Sequence, residues 1–182
     1  MKQEITEKIE IPEGMEVSVE GRRIVVSSGD KKIEKTFDLK NIDVKVEGKE
    51  IIVGSKKASK KEGKMIGTIK AHLNNMIKGV QEGFEYKLAI EFVHFPMNVE
   101  VDNGKKEIVI KNFLGEKKNR VGKMIDGAEI EIKGKEITVK SYDKEIAGQA
   151  AANLEKLTRV KGKDRRKFQD GIYMVEKPGR KI

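Results

Sequence analysis

From Met15 onward, apolar residues recur at every second position. Met15, Val17 and Val19 alternate with Glu16, Ser18 and Glu20, the period of a strand with one face buried. Turn signals at Gly21-Arg22-Arg23 and Ser28-Gly29-Asp30 bracket Ile24–Val26, and Ile33–Phe37 follows as a third short strand. Ile42, Val44 and Val46 alternate again, and Gly48 turns the chain into Ile51–Val53. Residues 1–10 read as a polar lead-in and 11–14 as a turn. From Lys56 the strand period stops. Met65, Ile69, Leu73, Met76 and Val80 then mark one face of an α-helix. Ser59 with Glu62 forms a capping-box pattern at its start, and Gly79 is the expected C-cap. Gly63 and Gly67 weaken its first turns and leave room for a close neighbour.

The second half repeats this plan. Val44-Lys45-Val46 followed by Gly48-Lys49-Glu50-Ile51-Ile52-Val53 has its counterpart in Ile130-Glu131-Ile132 followed by Gly134-Lys135-Glu136-Ile137-Thr138-Val139. The helix bearing Gly67, Ala71 and Leu73 is matched by one bearing Gly148, Ala152 and Leu154, which Tyr142-Asp143 can start. An internal repeat at this scale predicts two domains of roughly 80 residues each. Gln81-Glu82-Gly83 is the expected hinge. Phe84–Phe95 reads as one long strand ended by Pro96, and Val99–Val101 pairs with Ile108–Ile110 through an Asn103-Gly104 turn. The polar stretch Glu116–Arg120 follows Phe113-Leu114-Gly115. Phe168–Val175 reads as a turn and a strand, and 176–182 as a basic, mobile tail. The expected domains are 1–81 and 82–175, with the tail beyond.

Composition narrows the function. Thirty-nine Lys and Arg against 30 Asp and Glu leave a net charge of +9, which favours a polyanionic partner. There is no cysteine, so disulfides, thiolate catalysis and cysteine-type zinc sites are excluded. No apolar run reaches membrane-spanning length and the N-terminus carries no signal-peptide pattern, so the expected compartment is the cytoplasm, with no membrane partner. With no Trp, six Phe and three Tyr, an aromatic stacking platform is poorly supported.

Nucleotide-loop, dinucleotide-fold and nucleophile-elbow patterns are all absent, and the two histidines are too few for most metal or nucleophile constellations. His94 is expected to pack its ring at a strand end, and His72 to line the helix flank or contact a phosphate. No catalytic residue, metal or cofactor is assigned. What remains is three basic clusters: Lys56, Lys57, Lys60, Lys61 and Lys64; Lys111, Lys117, Lys118, Arg120 and Lys123; and Arg159, Lys161, Lys163, Arg165, Arg166 and Lys167, interrupted only by Asp164 among charged residues. The third combines arginines, whose planar forks pair with phosphate, and a loop held at both ends. That arrangement suits a folded RNA. On residues alone, a protein-interaction module using sheet edges and a hydrolase with an unmarked carboxylate pair stay open beside nucleic-acid binding.

Longer motifs carry a resemblance. His72-Leu-Asn-Asn-Met-Ile-Lys-Gly79-Val80-Gln-Glu-Gly83-Phe84, His94-Phe-Pro-Met97, Ile110-Lys-Asn-Phe-Leu-Gly-Glu-Lys-Lys118 and Asp164-Arg-Arg-Lys-Phe168-Gln-Asp-Gly-Ile-Tyr173 resemble the large-subunit ribosomal protein L6 family, of archaeal type. Asp170-Gly171-Ile172-Tyr173 stands where the bacterial branch has a Lys-Gly-Lys-Gly loop. The resemblance implies an α+β fold of two duplicated domains, each an antiparallel β-sheet packed with one α-helix. It implies a non-enzymatic constituent of the large ribosomal subunit. Such a protein binds 23S rRNA near the sarcin–ricin loop and stalk base, with other large-subunit proteins and stalk-base components as partners and translation factors nearby. It places most rRNA contacts in the second domain, here on Lys111, Lys117, Lys118, Arg120, Arg159, Lys161, Lys163, Arg165, Arg166 and Lys167. Gly115, Gly162 and Gly171 are expected to let the backbone turn or approach RNA, and Phe113, Phe168 and Tyr173 to lie in the core.

Overall fold

The computed structural model describes residues 3–182, which form two compact units, one ending at Gly83 and the other starting at Phe84. The first unit contains β1 (Gln3–Glu10), β2 (Glu16–Glu20), β3 (Arg23–Ser28), β4 (Lys31–Thr36), β5 (Asp43–Glu47), β6 (Glu50–Ala58) and α1 (Lys60–Glu82). Its strands make two antiparallel three-stranded sheets, β1-β6-β5 and β2-β3-β4. The second unit contains β7 (Phe84–Glu91), β8 (Asn98–Asp102), β9 (Glu107–Lys111), β10 (Arg120–Lys123), β11 (Glu129–Lys133), β12 (Glu136–Ser141), α2 (Lys144–Leu157), β13 (Gly171–Lys177) and β14 (Arg180–Lys181). Its sheets run β10-β9-β8 and β11-β12-β7-β13-β14. The repeat is therefore topological: β7 stands for β1, β8–β10 for β2–β4, β11–β12 for β5–β6 and α2 for α1. Only the second unit adds β13, on the free side of β7.

Each helix lies on the sheets of its own unit and seals one core. In the first, Ile24, Val26, Ile51 and Val53 from the strands meet Ile66, Ile69 and Leu73 from α1. In the second, Leu88, Ile110, Ile137 and Val139 meet Ala147, Ala151 and Leu154 from α2, with Ile172 from β13. Each fully buried Val, Leu or Ile side chain among these contributes about 1.5–3 kcal/mol relative to exposure. Position 148 is glycine because Tyr86 crosses there: a Cβ would sit 3.1 Å from its hydroxyl. Its counterpart Gly67 faces open space.

The helix starts follow the sequence. Ser59 Oγ accepts the Lys61 N–H at 3.2 Å, and the Glu62 carboxylate accepts the Ser59 N–H at 2.9 Å and the Ser59 hydroxyl. Asp143 caps α2 by accepting the Glu145 N–H at 2.8 Å. Hydrogen bonds from the Ser59 side chain and backbone hold the Glu62 carboxyl down to about 2. Ser59→Ala is expected to reduce the stability of the first unit by about 1 kcal/mol at neutral pH. Because the Glu62 pKa is depressed, its support is present above the ordinary glutamate value of 4.5 and is lost as pH falls toward about 2. Thermal melts across that range should show the gap between parent and variant closing on acidification. A constant gap would overturn the assignment to the capping box.

Several elements differ from the sequence expectation, each for a tertiary reason. Of the polar lead-in, residues 1–2 lie outside the described residues, and Gln3–Glu10 is β1, paired antiparallel with β6. Its alternation (Ile5, Glu7, Ile9) is disguised by an inward glutamate whose carboxylate accepts from Lys70 on α1 at 2.6 Å. Gly63 makes room for that strand, since a Cβ there would lie 3.2 Å from Ile5 Cδ1. β6 continues to Ala58 because β1 pairs along it. Gly79 is buried within α1, which runs through the expected junction at 81–82; Gly83, at φ +75°, is the cap, and its N–H donates to the Gly79 carbonyl. The segment 176–182 folds back, with Lys177 pairing Arg180 and Glu176 pairing Lys181. β10, which the sequence pattern does not reveal, pairs Val121 with Val109.

Candidate nucleic-acid interface

β7 ends at Glu91, well before Pro96, because Asp170 captures the chain beyond it. This carboxylate is 2% exposed and accepts the Val93 N–H at 3.1 Å and the His94 N–H at 3.0 Å, with His94 Nδ1 at 2.7 Å. Burial alone would raise the Asp170 pKa, but the His94 side-chain bond and the two backbone N–H groups outweigh it, so the carboxyl titrates below the usual range. The His94 ring stacks on Phe168, with centroids 4.7 Å apart, and Lys163 Nζ lies 4.5 Å from the Phe168 ring centre. The loop leaving β7 is thereby fastened to the loop entering β13.

A third loop joins them. Asn112 follows β9 in the left-handed region, Leu114 does the same at φ +50°, and Gly115 lies at φ +76°. Asn112 Nδ2 donates to the Pro96 carbonyl at 2.9 Å, and the Phe95 ring lies within 3.5 Å of where a Gly115 Cβ would be. Arg120, at the start of β10, closes the cluster. Its guanidinium donates to Glu116 at 2.8 and 2.5 Å, to the Leu157 carbonyl at 2.9 Å and to the Arg159 carbonyl at 3.1 Å, and lies over the Phe113 ring at 4.1 Å. Loops 92–97, 112–119 and 158–170 therefore converge on one region of the second unit.

The expected contact residues separate into two groups there. Arg120 is engaged on every side. Lys111 pairs with Glu100 at 2.7 Å, and Arg166 with Asp164 at 3.1 Å, although the Arg166 side chain remains 91% exposed. Asp164 organises its loop: its carboxylate accepts from the Arg166 side chain and N–H, which lowers its pKa, and its carbonyl accepts from Lys167 and Phe168. Lys117, Lys118, Arg159, Lys161, Arg165 and Lys167 are exposed, and none is ion-paired among the described residues. Arg159 and Arg165 line one open cleft with Thr158 and Tyr173.

The three glycines divide similarly. Gly162, at φ +68°, turns the basic loop in open space, whereas Gly115 supports Phe95. Gly171 is buried, and the group that approaches it is Tyr173, whose ring would lie 3.3 Å from a Cβ. Phe113 is in the core as expected, but Phe168 is half-buried between His94 and Lys163, and Tyr173 is exposed. The open side of β13 is closed by α2 and the residue after it: Thr158 Oγ1 accepts the Ile172 N–H at 2.8 Å and Glu155 the Met174 N–H at 3.1 Å. In the first unit, Lys56, Lys57, Lys60, Lys61 and Lys64 are exposed around the β6–α1 junction. His72 lines the helix flank, its Nδ1 3.0 Å from Lys35 Nζ and its ring beside Phe37. The His94 ring packs as expected, on Phe168, but the roles of Asp170 and Phe95 and the pairing of His94 with Asp170 are not visible in the residue pattern, because their partners lie far along the chain.

Among the described residues no helix is long and apolar enough to cross a membrane, and no group of three or more His, Asp or Glu could hold a metal ion. The family model for ribosomal protein L6 matches twice, over residues 11–83 and 95–171, one match on each unit. Three archaeal proteins, each described as large ribosomal subunit protein uL6, are similar over nearly the whole chain. The one from Methanococcus vannielii is 46% identical over 97% of this chain and 96% of its own length. That from Methanobrevibacter smithii is 43% identical, over 95% and 96%. That from Aeropyrum pernix is 42% identical, over 95% and 94%. Two model matches falling on two topologically equivalent units, together with full-length similarity at this identity, establish that the chain belongs to the ribosomal protein L6 family.

Proposed function

We propose that this chain is a structural constituent of the large ribosomal subunit that binds 23S rRNA near the sarcin–ricin loop and stalk base. There it supports the region where translation factors bind, beside other large-subunit proteins and stalk-base components. Family membership supports the coarse reading, and a ribosomal protein of this kind performs no chemical step. The observation that supports RNA binding by the second unit is the convergence of loops that brings six unpaired cations to one region, while the place near the sarcin–ricin loop and stalk base rests on the family resemblance. Lys117, Lys118, Arg159, Lys161, Arg165 and Lys167 meet phosphates directly, joined by Lys163 and the exposed guanidinium of Arg166. Lys111 and Arg120 act mainly by holding strand and loops in place. Because the loops are fixed by hydrogen bonds before RNA arrives, little ordering opposes binding.

The test is affinity and footprinting on purified 23S rRNA against random-sequence RNA of equal length. Tighter binding to 23S rRNA, with protections confined to the sarcin–ricin and stalk-base segments, is expected. Equal affinity for the two RNAs would overturn the reading in favour of a protein-interaction module whose charge serves solubility.

A further inference from the structure

Loop 92–97 holds two apolar side chains outward: Val93 is 81% and Phe95 48% exposed. A solvent-facing phenylalanine on a loose loop would need no explanation. This loop is not loose. Asp170 fixes the N–H groups of Val93 and His94, Asn112 fixes the Pro96 carbonyl, and Gly115 supports the Phe95 ring. The supporting segment places Asn112, a residue type that tolerates the left-handed region, and Leu114, which adopts it only when its surroundings over-determine it, at positive φ. A strained, hydrogen-bonded frame thus presents one aromatic ring at the surface.

The surroundings of that ring select its partner. Lys117 and Lys118 follow two and three residues after Gly115, unpaired and exposed. Lys163 lies over Phe168, which stacks on the neighbouring His94, and its charge reaches Glu116. The nearby carboxylate of Glu116 is already held by Arg120. A planar apolar ring bordered by free cations complements a nucleotide, whose base is planar and whose phosphate is anionic. We infer that Phe95 stacks on an unpaired base of the bound RNA, while the cations beside it take the adjacent phosphates. This deepens the rRNA-binding reading and rests on it. Scarcity of aromatics argues against a stacking platform but not against a single positioned ring.

The chain contains no tryptophan, so Phe95→Trp introduces a sole indole fluorophore at the site. The full-length variant keeps a planar ring at this position, so its emission should be quenched when 23S rRNA is added. Phe95→Leu, apolar but not planar, should bind about tenfold more weakly. Its dependence of affinity on salt should match the parent's, since no phosphate contact is lost. Unquenched Trp emission in the bound state, or parental affinity for the Leu variant, would overturn the inference. So would a Leu variant with parental RNA affinity but poor incorporation into large subunits, which would assign the ring to a protein partner. If the parent itself fails to prefer 23S rRNA, the broader reading fails instead. Should the Leu variant melt early, the Trp quench decides alone.

Discussion

Replacing Arg159, Lys161, Arg165 and Lys167 together by alanine is expected to weaken binding to 23S rRNA by roughly 100-fold near physiological salt. All four side chains are exposed, and among the described residues none makes an ion pair or side-chain hydrogen bond that the substitution would remove. Arg159 contributes to the fold through its carbonyl, which accepts from Arg120 and is kept in the variant. The effect should be legible as counterion release. Each phosphate contact contributes close to one unit of slope in log affinity against log salt, so the slope should fall by about 3 to 4. Lys111→Ala is the contrasting control. Its ammonium is already paired with Glu100, so its loss should move the slope little. Titrations at several salt concentrations, with thermal melts of the same preparations, check both statements. An unchanged slope in the fourfold variant would remove this loop from the RNA interface.

Asp170→Ala is expected to produce the largest loss of stability among single changes at the interface, about 2–3 kcal/mol. The substitution removes the acceptor that fixes Val93 and His94 and frees the His94–Phe168 stack, so two loops lose their fastening at once. For a unit of this size that corresponds to a fall in melting temperature of roughly 10–20 °C. Amide exchange should quicken in the β7–β13 region while α1 and β6 keep the parental pattern. RNA affinity should fall as well, although Asp170 is an anion and its removal raises the net positive charge. That sign separates positioning from simple electrostatics: if the loops were not held by Asp170, losing a negative charge would strengthen RNA binding. The depressed pKa of Asp170 gives a further check. Its contribution is fully present above the ordinary aspartate value and is lost as pH falls through the lower folded value, so the stability gap between parent and variant should narrow only under acid conditions below about pH 4. A variant that melts and exchanges like the parent would refute the latch.

Much of the fold follows from local patterns. Alternation at Met15–Val19 and Val44–Val46 and four-three spacing from Met65 to Val80 correspond to β2, β5 and α1, because period reports which face is buried. Ser59 and Asp143 are read as helix starts because a cap is satisfied within three residues. Where an element depends on a distant partner, the local pattern misleads. β1 hides behind Glu7, whose partner Lys70 is 63 residues away. β7 stops early because of a carboxylate 76 to 77 residues further on.

The same division holds for the candidate site. By itself the sequence determined the duplicated α+β plan and the list of basic residues, because periodicity, turns, caps and charge are properties of neighbouring positions, and its longer motifs carried the resemblance to the family. Only the tertiary structure decided which of those cations remain free. Arg120 and Arg165 are both arginines in basic stretches, yet Arg120 reaches carbonyls 37 and 39 residues away and becomes part of the frame, while Arg165 stays open. Folding likewise buried Asp170, exposed Phe95 and brought three loops together. A charge is available to a ligand only if no group within the fold already satisfies it, and that depends on distances between residues far apart in the chain.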